Sequence, residues 1–220
     1  EHIERWTDEG EVVLDPFSGR GTTVFEALLR ERSAAACDVN PVAYCISAAK
    51  ATSPDIAALK DRLQALETAY NESASSELKD LRDALPAFFG RAFYWTTLEQ
   101  LLVLREELDW RHSPVDCFIA ALCLGSLHGD RDKSPSYFSN QMPRTISPKP
   151  GYSLKYWREN ELWPHKRDVF AILRQRVHFR LDQGVPSEKG TVALCDARGA
   201  HENLPRLQER TKAVITSPPY

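Results

Sequence analysis

Several signatures are missing from this 220-residue sequence. No two of its five cysteines, at positions 37, 45, 117, 123 and 195, form a C-x-x-C pair, and their number is odd. That pattern argues against a zinc site and against a disulfide framework. It leaves buried free thiols in a reducing, cytoplasmic setting as the simpler expectation. No secretory leader and no apolar run of membrane length is present, so no membrane partner is expected. Neither sign of charge dominates: 28 Lys and Arg stand against 31 Asp and Glu, for a net charge of −3. Any affinity for nucleic acid must therefore come from a local patch. No internal repeat is visible. The chain also lacks an initiating methionine at Glu1 and stops at Tyr220 directly after an apolar run, so both ends read as cuts through a larger protein.

What is present is ordinary in bulk, with 42% hydrophobic residues, enough for a real core. The organisation is less ordinary. Glu11–Leu14 is a short apolar run that ends in Asp15-Pro16 and a glycine-containing turn, Ser18-Gly19-Arg20-Gly21. Val24, Phe25, Leu28 and Leu29 then recur at helical spacing, and Ala34–Cys37 forms a second small run ending in Asp38. This is a β-turn-α-β unit, the opening of a doubly wound sheet. Thr191–Cys195 and Ala213–Thr216 repeat the strand pattern, ending in Asp196 and in Ser217-Pro218-Pro219-Tyr220. Four strands thus end in polar, turn-forming residues, and in open α/β sheets that carboxyl edge is where ligands sit.

The middle, 48–187, reads as a mainly helical insertion. Ile56, Leu59, Leu63 and Leu66 make one stripe. Leu98, Leu101, Leu102 and Leu108 make another, with Thr96 or Thr97 as N-cap. Ser113-Pro114 opens an apolar helix expected to run to about His128, and Asp168 starts a further one closed by Gly184. The stretch Asp130–Pro164, rich in Ser, Pro, Tyr and Trp, reads as a loop. The expected layout is a sheet domain in two pieces, 1–47 and 188–220, around the insertion 48–187.

The turn Asp15–Thr23 carries the first chemical signal. Glycines between strand and helix let backbone approach a ligand closely. The dinucleotide pattern G-x-G-x-x-G fails here, because Val24 stands in place of the third glycine. Asp15 suits a cationic ligand group better than a pyrophosphate, which it would repel. Asp38, followed by Asn40-Pro41, can accept both hydroxyls of a ribose, although an acid there also serves as a cap or turn former. After Ala-Val-Ile-Thr, the two prolines of Ser217–Tyr220 fix the backbone and remove two N–H donors, leaving carbonyls to accept from an exocyclic amino group. An adjacent tyrosine can stack on a base. The plain alternative is a strand-ending loop with a packed ring.

Taken together these residues resemble the DNA amino-methyltransferases, which make N4-methylcytosine or N6-methyladenine. Asp15–Thr23 is similar to that family's D-P-F-x-G-x-G-T-T motif, Asp38 to its ribose-binding acid, Asp196 to the acid beside the cofactor adenine, and Thr216–Tyr220 to its (D/N/S)-P-P-(Y/F) motif. The resemblance covers 11–47 and 188–220. It implies an α/β, Rossmann-like methyltransferase sheet present in part, with S-adenosylmethionine as cofactor. Asp15, Pro16, Phe17, Ser18, Gly19, Gly21, Thr22, Thr23, Asp38, Asn40, Asp196 and Ala197 would form the cofactor site. Ser217, Pro218, Pro219 and Tyr220 would form the catalytic turn, and Ser217 in first position leans toward cytosine N4. Departures are Arg20, where a small Ser or Thr is commoner, the long separation of Asp38 from Asp196, and the absence of the family's later strands. An RNA base methyltransferase and a non-catalytic subunit of a split enzyme stay open, and a dinucleotide oxidoreductase is the weakest reading.

From Arg131 to Arg180 there are eleven Lys or Arg and four acids, interleaved with Tyr137, Phe138, Tyr152, Tyr156, Trp157 and Trp163. Cations beside aromatic rings can hold phosphates and stack on bases, although a solvated helix face with a packed loop gives the same composition. Asn140, Gln141 and Arg144 offer groups able to read base edges. The candidate DNA contacts are Asn140, Arg144, Lys149, Tyr152 and Lys155, and the expected partners are DNA and a restriction or complementary methyltransferase subunit.

Overall fold

A computed structural model describes residues 1–129, 135–141, 150–182, 184–204 and 209–217. The chain forms two compact units. The first comprises Glu1–Asp55, Asp109–Ala121 and Gln183–Tyr220; the second comprises Ile56–Leu108 and Leu122–Asp182.

The first unit is α/β. In chain order it contains α1 (His2–Trp6), β1 (Val12–Asp15), α2 (Thr22–Leu29), β2 (Ser33–Asp38) and α3 (Pro41–Thr52). The second unit supplies α4 (Ile56–Glu72), α5 (Ser75–Asp83), α6 (Ala87–Ala92) and α7 (Trp95–Glu107). Helix α8 (Pro114–Leu124) follows, then α9 (Pro150–Glu159) and α10 (Val169–Leu181) in the second unit. Finally β3 (Thr191–Leu194), α11 (Ala200–Asn203) and β4 (Thr211–Val214) complete the first. Among the described residues, no helix is long and apolar enough to cross a membrane.

The four strands are parallel, in the order β3-β2-β1-β4. The order reverses between β1 and β4, so the carboxyl ends of β1, β2, β3 and β4 share one edge beside a topological switch point. Parallel strands covered by helices read as small or branched apolar runs. Accordingly Val13 of β1, Ala34 and Ala36 of β2, and Val24, Ala27 and Leu28 of α2 share a core with Ile3, Ala51, Val192 and Ile215. Strand β4 begins two residues before the apolar run that marked it in sequence. Its Lys212 is exposed and pairs with Glu11 at 3.3 Å, so one side of this strand tolerates polar residues that hide it from an apolar search.

Segment 109–121 clusters with the sheet rather than with the remainder of the middle region. The Cys117 and Cys45 sulfurs lie 3.8 Å apart and the Trp110 and Tyr44 rings 6.2 Å apart, which packs this segment on α3. The helix opened by Pro114 and expected to run to His128 ends at Leu124, just before Gly125. Tyr94, and neither Thr96 nor Thr97, is the N-cap of α7. Thr97 is buried within the helix, where its hydroxyl donates to the Arg167 carbonyl (2.6 Å) and accepts from the Arg167 amide (3.0 Å). Asp168 does cap α10, accepting from the Ala171 amide at 3.2 Å. The stretch read as a loop contains α9. Its Pro150 occupies the first helical position, where a missing N–H costs nothing, and Ser153 and Trp157 bury one stripe four residues apart.

Candidate functional site

Strand β1 ends in Asp15, whose side chain is 4% exposed. Its Oδ1 accepts from the Phe17 amide (3.1 Å) and from the Thr216 hydroxyl (2.6 Å). One buried carboxylate therefore turns the chain after β1 and ties that turn to the segment leaving β4. The Ser18 amide donates to the Cys37 carbonyl (3.0 Å) and the Gly21 amide to the Ser18 carbonyl (2.7 Å). Both glycines of the turn lie in the left-handed region, Gly19 at φ +49 and Gly21 at φ +65. Their surroundings differ. A Cβ on Gly21 would meet Ser47 Oγ at 2.8 Å and Ser47 Cα at 2.9 Å, whereas one on Gly19 would find only the Phe17 carbonyl, at 3.8 Å. The close backbone approach at Gly21 is thus to α3, while Gly19 faces open space.

Strand β2 ends in Asp38. Its Oδ2 accepts from the Gly19 amide and its Oδ1 from the Asn40 amide, both at 2.9 Å. Each oxygen retains a second lone pair. Asn40 caps α3 by accepting from the Val42 amide at 2.9 Å, with Pro41 in the first turn. Strand β3 leads to Asp196, whose carboxylate is gripped by the Arg198 guanidinium, 2.9 Å to each oxygen, and by the Arg198 amide at 2.9 Å. The guanidinium foremost, and then that amide, hold the Asp196 carboxyl down at about 2. Behind the edge, burial first and the neighbouring Cys195 thiol second push the Cys37 thiol up to about 12, so it stays a neutral packing group.

These turns converge on one open cleft of about 330 Å³ at the carboxyl edge. Pro16, Phe17 and Gly19 line it from the first turn, Asp38 and Val39 from the second, Asp196 and Ala197 from the third, and Ser217 from the fourth. Seven residues expected at the site are thereby brought together. Phe17 is 38% exposed, leaving ring surface free. Asp15, Ser18, Gly21, Thr22, Thr23 and Asn40 do not line the cleft. They shape the turns that do: Ser18 is buried beside Ser47 (Oγ–Oγ 3.1 Å), and Thr22 and Thr23 begin α2. Pro218, Pro219 and Tyr220 lie outside the described residues.

Two residues and one role escaped the sequence reading. Val39 lines the cleft as the neighbour of a recognisable acid. Thr216 stands in the motif after β4, but its role as the hydroxyl partner of Asp15 was not foreseen. Ser47 is fully buried, and the only signal for it is a row of small residues, Ala43, Ser47 and Ala51, at one-turn spacing in α3. Among the described residues no group of three or more His, Cys, Asp or Glu side chains could hold a metal ion.

In the second unit the candidate DNA contacts separate. Tyr152 (58% exposed) and Lys155 stand on the outer face of α9, Lys155 within 3.8 Å of Glu159. Asn140 does not reach the surface. It is 4% exposed, its Oδ1 accepts from the His165 amide at 3.1 Å, and so placed it holds a loop and reads nothing outside. Gln141, 1% exposed, donates to the Arg91 carbonyl at 3.3 Å. Arg144 and Lys149 lie outside the described residues. Of the basic side chains in this stretch, Arg174 pairs with Glu67 and Arg176 donates to the Ser136 carbonyl, so both are engaged inside the unit.

No curated protein and no solved structure matches the chain. Residues 1–49, which hold β1, the glycine turn, α2, β2, Asp38 and most of α3, match the family model described as DNA methylase. That stretch is therefore similar to DNA methylases, and the match supports a DNA methyltransferase in general.

Proposed function

We propose that this chain carries the core of an S-adenosylmethionine-dependent amino-methyltransferase acting on DNA, with cytosine N4 favoured over adenine N6. The observation that carries the reading is the convergence of Phe17, Asp38, Asp196 and Ser217 in one cleft at the carboxyl edge of the sheet, the first two within the segment that matches DNA methylases.

The residues present fit the cofactor. A cleft of about 330 Å³ falls in the range of small-ligand sites. Both Asp38 oxygens keep acceptor capacity toward a ribose diol after serving the Gly19 and Asn40 amides. Asp196 supplies a carboxylate that stays ionised well below neutral pH, able to accept from an adenine amino group. Phe17 adds a partly exposed ring to the same cleft. When bound, the cofactor supplies an electrophilic methyl on a sulfonium, so the protein's task is to orient and desolvate.

On the target side, the Ser217 hydroxyl and the Pro218 carbonyl accept hydrogen bonds from the exocyclic amino group, which keeps electron density on its nitrogen. Tyr220 stacks on the base, which has left the duplex stack. Asp15 has a positioning role: by accepting from both the Phe17 amide and Thr216 it holds the cofactor turn against the turn that starts at Ser217.

Two measurements test the reading. Calorimetric titration with S-adenosylhomocysteine should show binding by the native chain and at least a tenfold loss in Asp38→Ala, with no binding of NAD; equal binding by the variant removes Asp38 from the site. Transfer of tritiated methyl groups to matched DNA and RNA should label DNA, with Tyr220→Ala slower by roughly ten- to a hundredfold, the equivalent of one stacked base. Label found only in RNA would overturn the substrate assignment.

A further inference from the structure

The loop from Glu161 to Asp168 has no regular structure, yet it is held at many points. Leu162 is buried and its amide donates to the Trp157 carbonyl (2.8 Å); the His165 amide donates to Asn140; the Arg167 amide and carbonyl both engage Thr97; Asp168 caps α10. Glu161, at φ +52, makes the left-handed bend that ends α9. What this anchored loop presents to solvent is Trp163, 66% exposed, followed by the exposed His165 and Lys166.

Trp163 is not merely a stray apolar group. The Arg91 guanidinium carbon lies 3.4 Å from the indole centroid, a face-on stack. Arg91 is itself steadied, since its carbonyl accepts from Gln141 and its guanidinium reaches the Trp157 carbonyl at 3.4 Å. With one face on Arg91 and two thirds of its surface in water, the indole keeps its other face open. Arg91 stacks on the ring and the exposed Lys166 follows it in the loop; of the acids here, Glu161 is exposed, Glu159 lies against Lys155 and Asp168 caps α10. A rigid ring with a free face beside cations fits an unstacked base together with its phosphate. A protein partner would find less to bury on this loop, where the apolar anchor Leu162 already faces inward.

We propose that the Trp163–Arg91 stack is a binding platform for a locally unpaired DNA strand, with Trp163 receiving a base face and Arg91 and Lys166 receiving phosphates. The inference rests on the DNA-methyltransferase reading and places a DNA contact on residues outside the cleft. It moves that contact away from Asn140, which the fold buries.

The test uses the 220-residue chain and a fluorescently labelled 20-nucleotide single-stranded DNA, followed by anisotropy at several salt concentrations, with RNA of the same sequence in parallel. Trp163→Ala should weaken DNA binding by about tenfold or more at every salt, the loss of one stacked base, and Trp163→Phe should recover most of it. Lys166→Ala should lower the slope of log affinity against log salt by about one half to one, as loss of one phosphate contact requires. Trp163 is exposed, so Trp163→Ala is expected to melt like the parent, which circular dichroism checks. A natively folded Trp163→Ala that binds DNA like the parent overturns the platform, as does binding of RNA alone, or an effect confined to self-association. S-adenosylhomocysteine titrated into the same samples separates the two readings. Cofactor binding without any DNA binding refutes the platform and leaves the cleft assignment standing. Trp163-dependent DNA binding without cofactor binding refutes the cleft assignment alone.

Discussion

Replacing Gly21 by alanine sets two penalties against one gain. The residue sits at φ +65, so an alanine there pays about 1–2 kcal/mol for the left-handed conformation. Its new Cβ would lie 2.8 Å from Ser47 Oγ and 2.9 Å from Ser47 Cα. The hydroxyl can rotate away, but the backbone carbon belongs to α3 and moves only with the helix. Overpacking of that kind costs about 1–3 kcal/mol. The stiffer unfolded chain returns about 0.4–1 kcal/mol. The net expectation is a destabilisation of about 3 kcal/mol. Gly19→Ala is the internal control, because it shares the positive φ but meets nothing closer than 3.8 Å. It should cost about 1 kcal/mol or less, the conformational penalty alone. Urea denaturation followed by far-ultraviolet circular dichroism reads both as shifts in midpoint at constant slope. Ser47→Gly should relieve Gly21→Ala only in part, since it removes the hydroxymethyl group and leaves the helix backbone in the way. Equal costs for the two alanines, or full rescue by Ser47→Gly, would show that the close approach of helix and turn is not what demands glycine at position 21.

Thr216→Val keeps the shape of the side chain but removes the donor to buried Asp15, so it should destabilise by about 1–3 kcal/mol, with Thr216→Ser close to the parent in the same denaturation assay. Arg198→Ala should raise the Asp196 carboxyl from about 2 toward its ordinary 3.8, read from the carboxyl carbon shift by NMR. The sign follows: a depressed acid stabilises the fold above its unfolded value near 4 and loses that contribution as pH falls through about 2, so the variant should lose the acid-limb dependence between those values. Cys37, held neutral up to about 12, should resist a thiol-specific reagent at pH 8 in the native chain and react on unfolding; rapid native labelling would contradict its burial against the neighbouring Cys195.

The strand–turn–helix opening, the acids at the ends of β2 and β3, and the helical stripes of the middle region were all legible from spacing. Local patterns decide them: apolar runs that need cover, glycines where φ turns positive, and acids or asparagine where a strand ends or a helix begins. Even the shared edge of Asp38, Asp196 and Ser217 could be anticipated, because parallel strands in one sheet place their carboxyl ends together. Residue-level roles could not be anticipated. Gly19 and Gly21 look alike in sequence, yet one faces the cleft and the other faces Ser47, because only the packing of α3 distinguishes them. Asn140 read as a candidate DNA contact and Trp157 as one of the rings interleaved with cations, and both proved to be interior, while Arg91, fifty residues earlier in the chain than Gln141, came to lie over Trp163. Composition records that cations and rings are present. Which of them meet water and which spend their hydrogen bonds inside is set by the packing of distant segments against one another, and that exists only once the chain has folded.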